Sequence, residues 1–244
     1  MELNKIYNEE CLEGMKKIPD KSVDMILADL PYGTTRNRWD SIIPLEPLWA
    51  EYERIIKERG AIVLTAAQPF TSVLITSNLK CFKYDITWDK SQVTGFLNAK
   101  KMPLRRHEDI LVFYKKLPVY NPQFTQGEGY KISRSHRSNN YGEQKTNSTK
   151  SDGRRYPTSI LNVPQVRVKG GHPTQKPVAL FEHLIKTYTN EGETVLDNCM
   201  GSGTTAIACM NAGRNYIGFE LDETYHKMSL ERIENHKVEE LTSD

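Results

Sequence analysis

Asp29, Leu30, Pro31 and Tyr32 place a carboxylate, a carbonyl ahead of a proline and an aromatic ring directly after a short apolar run, Val23 to Ala28. A buried strand that ends on an acid and turns at Pro-Tyr-Gly presents polar chemistry at its carboxyl end, where open α/β sheets bind ligands. The same four residues also describe an ordinary strand exit in which the acid caps a turn, so their meaning depends on what else the chain brings to that edge.

A second constellation lies towards the other end. Gly201, Ser202, Gly203, Thr204, Thr205 and Ala206 fit a G-x-G-x-x-A turn between a strand and a helix, and Glu220 ends the following strand. Glycines let the backbone approach a ligand closely, and an acid at the next strand tip accepts both hydrogen bonds of a ribose diol. No lysine follows Gly203, which disfavours a triphosphate loop. Two ligand classes remain: a dinucleotide, or S-adenosylmethionine, which shares the ribose but carries a sulfonium and an amino-acid tail instead of a pyrophosphate.

Periodicity supplies the elements that would hold these residues. Residues 2 to 8 read as a strand, with a short helix through Leu12, Met15 and Ile18. After the Asp29 turn, apolar residues spaced helically from Leu45 to Ile56 precede Gly60 as a stop signal, and Ala61 to Ala66 reads as a buried strand. Phe70 to Leu79 is a predicted helix, and Tyr84 to Trp88 and Glu108 to Tyr114 are predicted strands. Beyond the middle of the chain, a helix through Val178 to Tyr188 is followed by a strand at Thr194 to Leu196. The glycine loop then precedes a helix from Thr204 to Asn211, a strand at Tyr216 to Phe219 and a charged terminal helix. Alternation of this kind predicts a mostly parallel sheet with helices on both faces.

Residues 117 to 168 interrupt the rhythm. They are rich in Pro, Gly, Ser, Asn and Thr, yet interleaved with tyrosines. Between 130 and 169 nine cations face only Glu143 and Asp152, although the whole chain has a net charge of +2, so the remainder is acidic. Arg134, Arg137, Arg154 and Arg155 within this stretch suit phosphate contact, and the neighbouring amides suit base reading. Four cysteines without a CxxC pair and six histidines without ligand spacing predict neither a zinc site nor disulfides. With 38% hydrophobic and 26% charged residues, no signal peptide and no apolar run of membrane length, a cytoplasmic location without membrane contact is expected.

Three motifs together resemble one family. Asp29 to Tyr32 resembles the Asp-Pro-Pro-Tyr motif of the DNA amino-methyltransferases, with Leu30 in place of the first Pro. Asp197-Asn-Cys-Met-Gly-Ser-Gly-Thr204 resembles their cofactor motif, with Asn198 for Pro and Cys199 for Phe, and His172 to Pro177 resembles their His-Pro-Thr-x-Lys-Pro element. The order, catalytic motif first and cofactor loop last, is similar to their β class, a circular permutation.

That resemblance implies a Rossmann-like methyltransferase fold with a seven-stranded sheet. A catalytic half at 1–116 and a cofactor-binding half at 169–244 would form one domain, with 117–168 inserted as a basic target-recognition region. It implies S-adenosylmethionine as cofactor, no metal, and double-stranded DNA as partner; it also allows a homodimer and leaves open a partner restriction nuclease. Asp29 and the Leu30 carbonyl would accept the two hydrogens of an exocyclic amine, Pro31 would fix the turn, and Tyr32 would stack on a flipped base. An acid at the first position points to adenine N6, since cytosine-N4 members more often carry Ser there. Cofactor contacts are expected from Glu10, Asp29, Thr174, Lys176, Asp197, Cys199, Gly201, Ser202, Gly203, Thr204, Glu220 and Leu221, with Lys176 addressing the cofactor carboxylate. The competing expectations are a cytosine-N4 enzyme, a nicotinamide-dependent oxidoreductase and a non-catalytic DNA-binding relative.

Overall fold

The computed structural model describes residues 1–33, 41–134, 137–138, 142–143, 147–166 and 175–242, with the side chains of 133–149 and of residues beyond 238 outside that set. Strand β1 (Lys5–Tyr7) leads into α1 (Cys11–Met15), and β2 (Val23–Asp29) follows. Met25, Ile26, Leu27 and Ala28 are all fully buried, so both faces of β2 are covered and its sequence is apolar without alternation. Helix α2 (Leu45–Ile55) buries a stripe of Leu48, Trp49, Tyr52 and Ile55.

Strand β3 (Ile56–Ala66) starts where α2 stops, earlier than expected. Gly60 is therefore a strand residue and not a helix stop: a Cβ there would lie 2.7 Å from the Asp24 carbonyl, so close approach of β2 requires glycine. Helix α3 (Phe70–Ser77) is followed by β4 (Phe82–Thr94) and β5 (Arg105–Phe113), an antiparallel pair whose ladder runs well beyond the apolar segments that signalled it.

Residues 122–158 form a compact unit of their own, and 1–121 with 159–244 form the other. The small unit holds β6 (Thr125–Gln126), β7 (Tyr130–Arg134), β8 (Arg137–Ser138), β9 (Gly142–Glu143), β10 (Asn147–Ser151) and β11 (Arg154–Arg155). Its antiparallel pairs are β6 with β11, β7 with β10 and β8 with β9. It is narrower than the predicted 117–168 because both flanks belong to the main body. Asn121 N–H donates to the Thr187 carbonyl at 2.7 Å, and β12 (Ile160–Asn162) pairs in parallel with β4.

The main body is completed by α4 (Val178–Tyr188), β13 (Thr194–Asp197), α5 (Thr204–Asn211), β14 (Asn215–Phe219) and α6 (Glu223–Thr242). Its sheet has the order β1-β14-β13-β2-β3-β5-β4-β12, eight strands where seven were predicted, the addition being β12 at the edge. Only β5 runs against its neighbours. Helices α1 to α3 pack on Ile26, Ala28, Leu64 and Phe113 on one face; α4 and α5, with Ile233 of α6, pack on Met25, Leu27, Val63 and Val195 on the other. From β2 the chain proceeds to β3, whereas from β13 it proceeds to β14 in the opposite direction. The crevice beyond the carboxyl ends of β2 and β13 is thus the topological switch point.

Candidate active site

Three acids end three adjacent parallel strands at that crevice: Asp29 closes β2, Asp197 closes β13 and Glu220 follows β14. Asp197 is buried and accepts from the Thr205 hydroxyl and, at 2.9 Å, from Cys199 N–H. Burial pushes its carboxyl up to about 7 against those two bonds, with Asp29 and Glu220 adding to the rise. Burial also raises Glu220, which accepts Gly201 N–H at 2.7 Å and Asp222 N–H at 2.9 Å. The glycine loop is therefore slung between the two carboxylates.

At the helix start Gly203 has φ +83°, and a Cβ would meet the Ser229 Cβ at 3.1 Å, so the left-handed turn and the proximity of α6 both call for glycine. Ser202 donates to the Gln175 side-chain oxygen at 2.9 Å, and Arg232 of α6 donates to the Ser202 carbonyl and the Thr204 hydroxyl, each at 3.1 Å. Asn198, which departs from the motif's proline, accepts the Tyr52 hydroxyl and turns its amide nitrogen to the Cys11 and Cys199 sulfurs, so the polar substitution is satisfied.

Around Asp29 the charges alternate. Its Oδ1 accepts the Tyr32 hydroxyl at 2.9 Å and the Thr65 hydroxyl, and its Oδ2 accepts Lys176 Nζ at 2.6 Å. Lys176 also lies 3.4 Å from Glu108 Oε2, and Lys90 Nζ lies 3.0 Å from Glu108 Oε1. Both lysines are buried, at 7% and 5% exposure. Burial alone would lower the Lys176 pKa, but Asp29 and Glu108 outweigh it and the net shift is upward. Burial would likewise raise Glu108, but Lys176 and Lys90 hold it below the usual range.

The structure places the remaining expected residues as follows. Lys176, expected at a cofactor carboxylate, is bonded to Asp29 and lies beside Glu108, because a buried ammonium needs carboxylates and β2 and β5 supply them. The Tyr32 ring is half-buried and stacked on Phe70 with centroids 5.5 Å apart, and burial pushes its hydroxyl upward in pKa. Only part of the ring is therefore available to a base. Leu30 packs into the core, and Pro31 is half-buried. Glu10 caps α1 by accepting Glu13 N–H at 2.9 Å, while Leu221 is exposed. Cys199 is half-buried with its thiol pushed up by burial. Thr174, with His172 and Pro173, lies outside the described residues, as do the side chains of Arg134 and Arg137. In the small unit, the Arg154 guanidinium sits 3.6 Å over the Phe124 ring, and Arg155 is exposed.

Thr65, Lys90, Glu108, Gln175 and Arg232 were not anticipated as site residues. Lys90 lies beyond the predicted Tyr84 to Trp88 strand and Glu108 at the start of the next, so the sequence pattern carries no signal that the two are buried as a pair. Among the described residues no group of His, Cys, Asp and Glu could hold a metal, and no helix is long and apolar enough to cross a membrane.

A switch-point crevice with a glycine loop and three strand-end acids suits a ligand with a ribose diol and cationic groups. Three clustered carboxylates would repel a pyrophosphate, whereas a sulfonium and an ammonium complement them. That is the S-adenosylmethionine-dependent methyltransferase arrangement. The chain belongs to the DNA methylase family of the N6/N4 type, whose model matches residues 23–231. It is 30% identical to the DNA adenine methyltransferase YhdJ of Escherichia coli (strain K12), over 98% of this chain and 87% of that protein. Its structure resembles that of the M1.HpyAVI–SAM complex with a TM-score of 0.64 and 27% identity, covering 93% and 98% of the two chains. The cytosine-N4-specific PvuII DNA methyltransferase shares the fold at a TM-score of 0.69 and 15% identity, covering 93% and 84%. The protein is accordingly a DNA methyltransferase that uses S-adenosylmethionine.

Proposed function

We propose that the enzyme methylates the exocyclic N6 of adenine in double-stranded DNA, on a base turned out of the helix. The observation that carries this reading is the aspartate at the tip of β2, in the switch-point crevice and oriented by Thr65, Tyr32 and Lys176. S-adenosylmethionine, when bound, supplies an electrophilic methyl group. The adenine amine is a poor nucleophile because its lone pair is delocalised into the ring. Asp29 Oδ2 would accept one amine hydrogen as Lys176 leans towards Glu108, and the Leu30 carbonyl would accept the other. Both bonds favour a pyramidal nitrogen, the negative Asp29 stabilises the positive charge that grows on it, and the methylated nitrogen returns to neutrality by giving up one of its two hydrogens as a proton by way of Asp29 to solvent. Thr65 and Tyr32 hold Oδ1 fixed throughout, so the acceptor is aimed before the base arrives. Tyr32, seated on Phe70, is assigned as the stacking partner of the base.

On the cofactor side, Glu220 is assigned to the ribose diol, Asp197 to the amino group of the tail, and Gly201 to Thr204 to close backbone approach. With Lys176 engaged, the amide groups opening α5 replace it as partners of the tail carboxylate. Cys199, Leu221 and Glu10 are assigned to the neighbourhood of the adenine ring. Arg134, Arg137, Arg154 and Arg155 of the 122–158 unit are assigned to DNA phosphates, and that unit to target recognition.

The Asp197 assignment has a proton-linked signature. A carboxyl pushed up to about 7 is largely protonated at pH 6, and an ammonium group placed on it favours the ionised form. Cofactor binding at pH 6 is therefore expected to release close to one proton, and little at pH 8.5. Calorimetric titration in buffers of different ionisation enthalpy measures this; Asp197→Asn should abolish the release, and a release that survives in Asp197→Asn but not in Glu220→Gln would move the assignment to Glu220.

Incubating the enzyme with unmethylated genomic DNA and cofactor labelled on its methyl group, then digesting to nucleosides, tests the base. Label in N6-methyladenine is expected. Label in N4-methylcytosine would give the reading to the cytosine enzymes that share this fold.

A further inference from the structure

Strand register places a second feature on the same edge as Asp29. Asp29 is level with Thr65, and Thr65 with Ile110, so the residues of β5 before Asp109 and their β4 partners overhang the end of β3. The four residues from 105 to 108 extend this hairpin by roughly 13 Å at a strand rise of about 3.3 Å. A shift in register between Asp89 and Thr94 bends it.

The tip is a built turn. Gly95 takes φ +91°, Phe96–Asn98 forms a single 3-10 turn, and four backbone hydrogen bonds close it, from Asn98 to Gly95, Ala99 to Phe96, and Lys101 and Met102 to Asn98, at 2.8–3.1 Å. This turn holds its largest apolar residues outward: Phe96 is 66% exposed, Leu97 100% and Met102 52%. Lys100, Lys101 and Arg105 follow closely in the chain, exposed and without a carboxylate partner among the described residues, whereas Arg106 is tied down by Asp89 at 2.8 Å. No acid occurs from residue 91 to 107.

We propose that this hairpin is a duplex-DNA prong: Lys100, Lys101 and Arg105 contact phosphates flanking the target, and Phe96 and Leu97 press against the base stack where the target base leaves it. An exposed apolar tip followed by exposed cations and no acid is poorly suited to a protein core and well suited to a polyanion with an apolar interior. A neutral protein partner would leave the cations uncompensated. The inference rests on DNA being the substrate, and adds a contact surface in the main body, separate from the 122–158 unit.

The test is binding of a fluorescent mixed-sequence duplex to the full-length enzyme across a salt series. Lys100→Ala/Lys101→Ala/Arg105→Ala is expected to weaken binding at least tenfold near 0.1 M salt. It should also flatten the slope of log affinity against log salt by about 3, since each phosphate contact contributes roughly 0.9. Phe96→Ser/Leu97→Ser is expected to leave that slope unchanged, weaken binding severalfold and slow methylation of native genomic DNA at least tenfold. Both variants should melt at the wild-type temperature, because the altered side chains are exposed. If wild type and both variants bind alike, the prong is overturned while DNA remains the substrate; if wild type does not bind the duplex, both fall. Variants that bind DNA normally but lose a dimer in sedimentation would assign the tip to a second copy of the chain and overturn the proposal.

Discussion

Asp29→Ala is expected to lower methyl transfer by about a thousandfold, equivalent to roughly 4 kcal/mol of transition-state stabilisation, while the protein stays folded. The size follows from the role. On the proposed mechanism Asp29 is the charged acceptor for the amine, and it sits half-buried at the crevice, aimed by the Thr65 and Tyr32 hydroxyls and by Lys176 at 2.6 Å. Survival of the fold follows from the neighbours, because Lys176 keeps Glu108 as a counter-charge 3.4 Å away, and Thr65 and Tyr32 hydrogen-bond to each other at 3.4 Å. Single-turnover rates together with the melting temperature measure both parts. A variant retaining more than a tenth of the wild-type rate would remove Asp29 from the reaction; one that fails to fold would show that the carboxylate is mainly a structural partner of Lys176.

Lys176→Met is expected to have the larger effect on stability. The substitution keeps the length of the side chain but leaves two partly buried carboxylates, Asp29 and Glu108, facing one another with only Lys90 remaining nearby. Breaking such an arrangement on one side costs about 3 kcal/mol. The loss should depend on pH in a set direction. In the wild type Glu108 is held below the usual carboxylate range, so it contributes stability above its unfolded pKa, about 4.5, that is lost as pH falls. Without Lys176 that contribution shrinks and burial favours the protonated acid, so the deficit of the variant should be larger at pH 7.5 than at pH 4.5. Urea denaturation at the two pH values measures it. A deficit that is equal at both, or larger in acid, would mean that Lys176 contributes by packing and not by charge.

The fold was legible where its residues are fully buried. Val23 to Ala28 and the strand before the glycine loop declare themselves by apolar content, because helices cover the sheet on both faces, and Val178 to Tyr188 declares itself by the helical spacing of the apolar residues it buries against one of them. Element ends were less legible. Gly60 carries the same letter whether it stops a helix or admits a neighbouring strand, and only the position of the Asp24 carbonyl decides. Strand β12 was invisible because three residues of ordinary composition pair with the edge of β4, and the polar residues of β4 and β5 gave no alternation from which to read their length.

At the site, the places of Asp29, Asp197 and Glu220 at strand ends and of Gly201 and Gly203 in a left-handed turn are legible in the sequence, because strand tips and glycine turns are local. The partners of Lys176 are not legible there, since Asp29 and Glu108 reach it from distant parts of the chain. The stacking of Tyr32 on Phe70 is likewise hidden, because nothing near Tyr32 in sequence announces Phe70. Contacts of this kind depend on register across the sheet, which a pattern of letters does not contain.

The most direct test of the central claim is methylome sequencing of a methylation-free bacterial host expressing the enzyme or its Asp29→Ala variant at equal levels. N6-methyladenine at one short recurring sequence is predicted for the wild type, with no such mark for the variant. N4-methylcytosine in place of N6-methyladenine, or adenine marks that persist in Asp29→Ala, would contradict it.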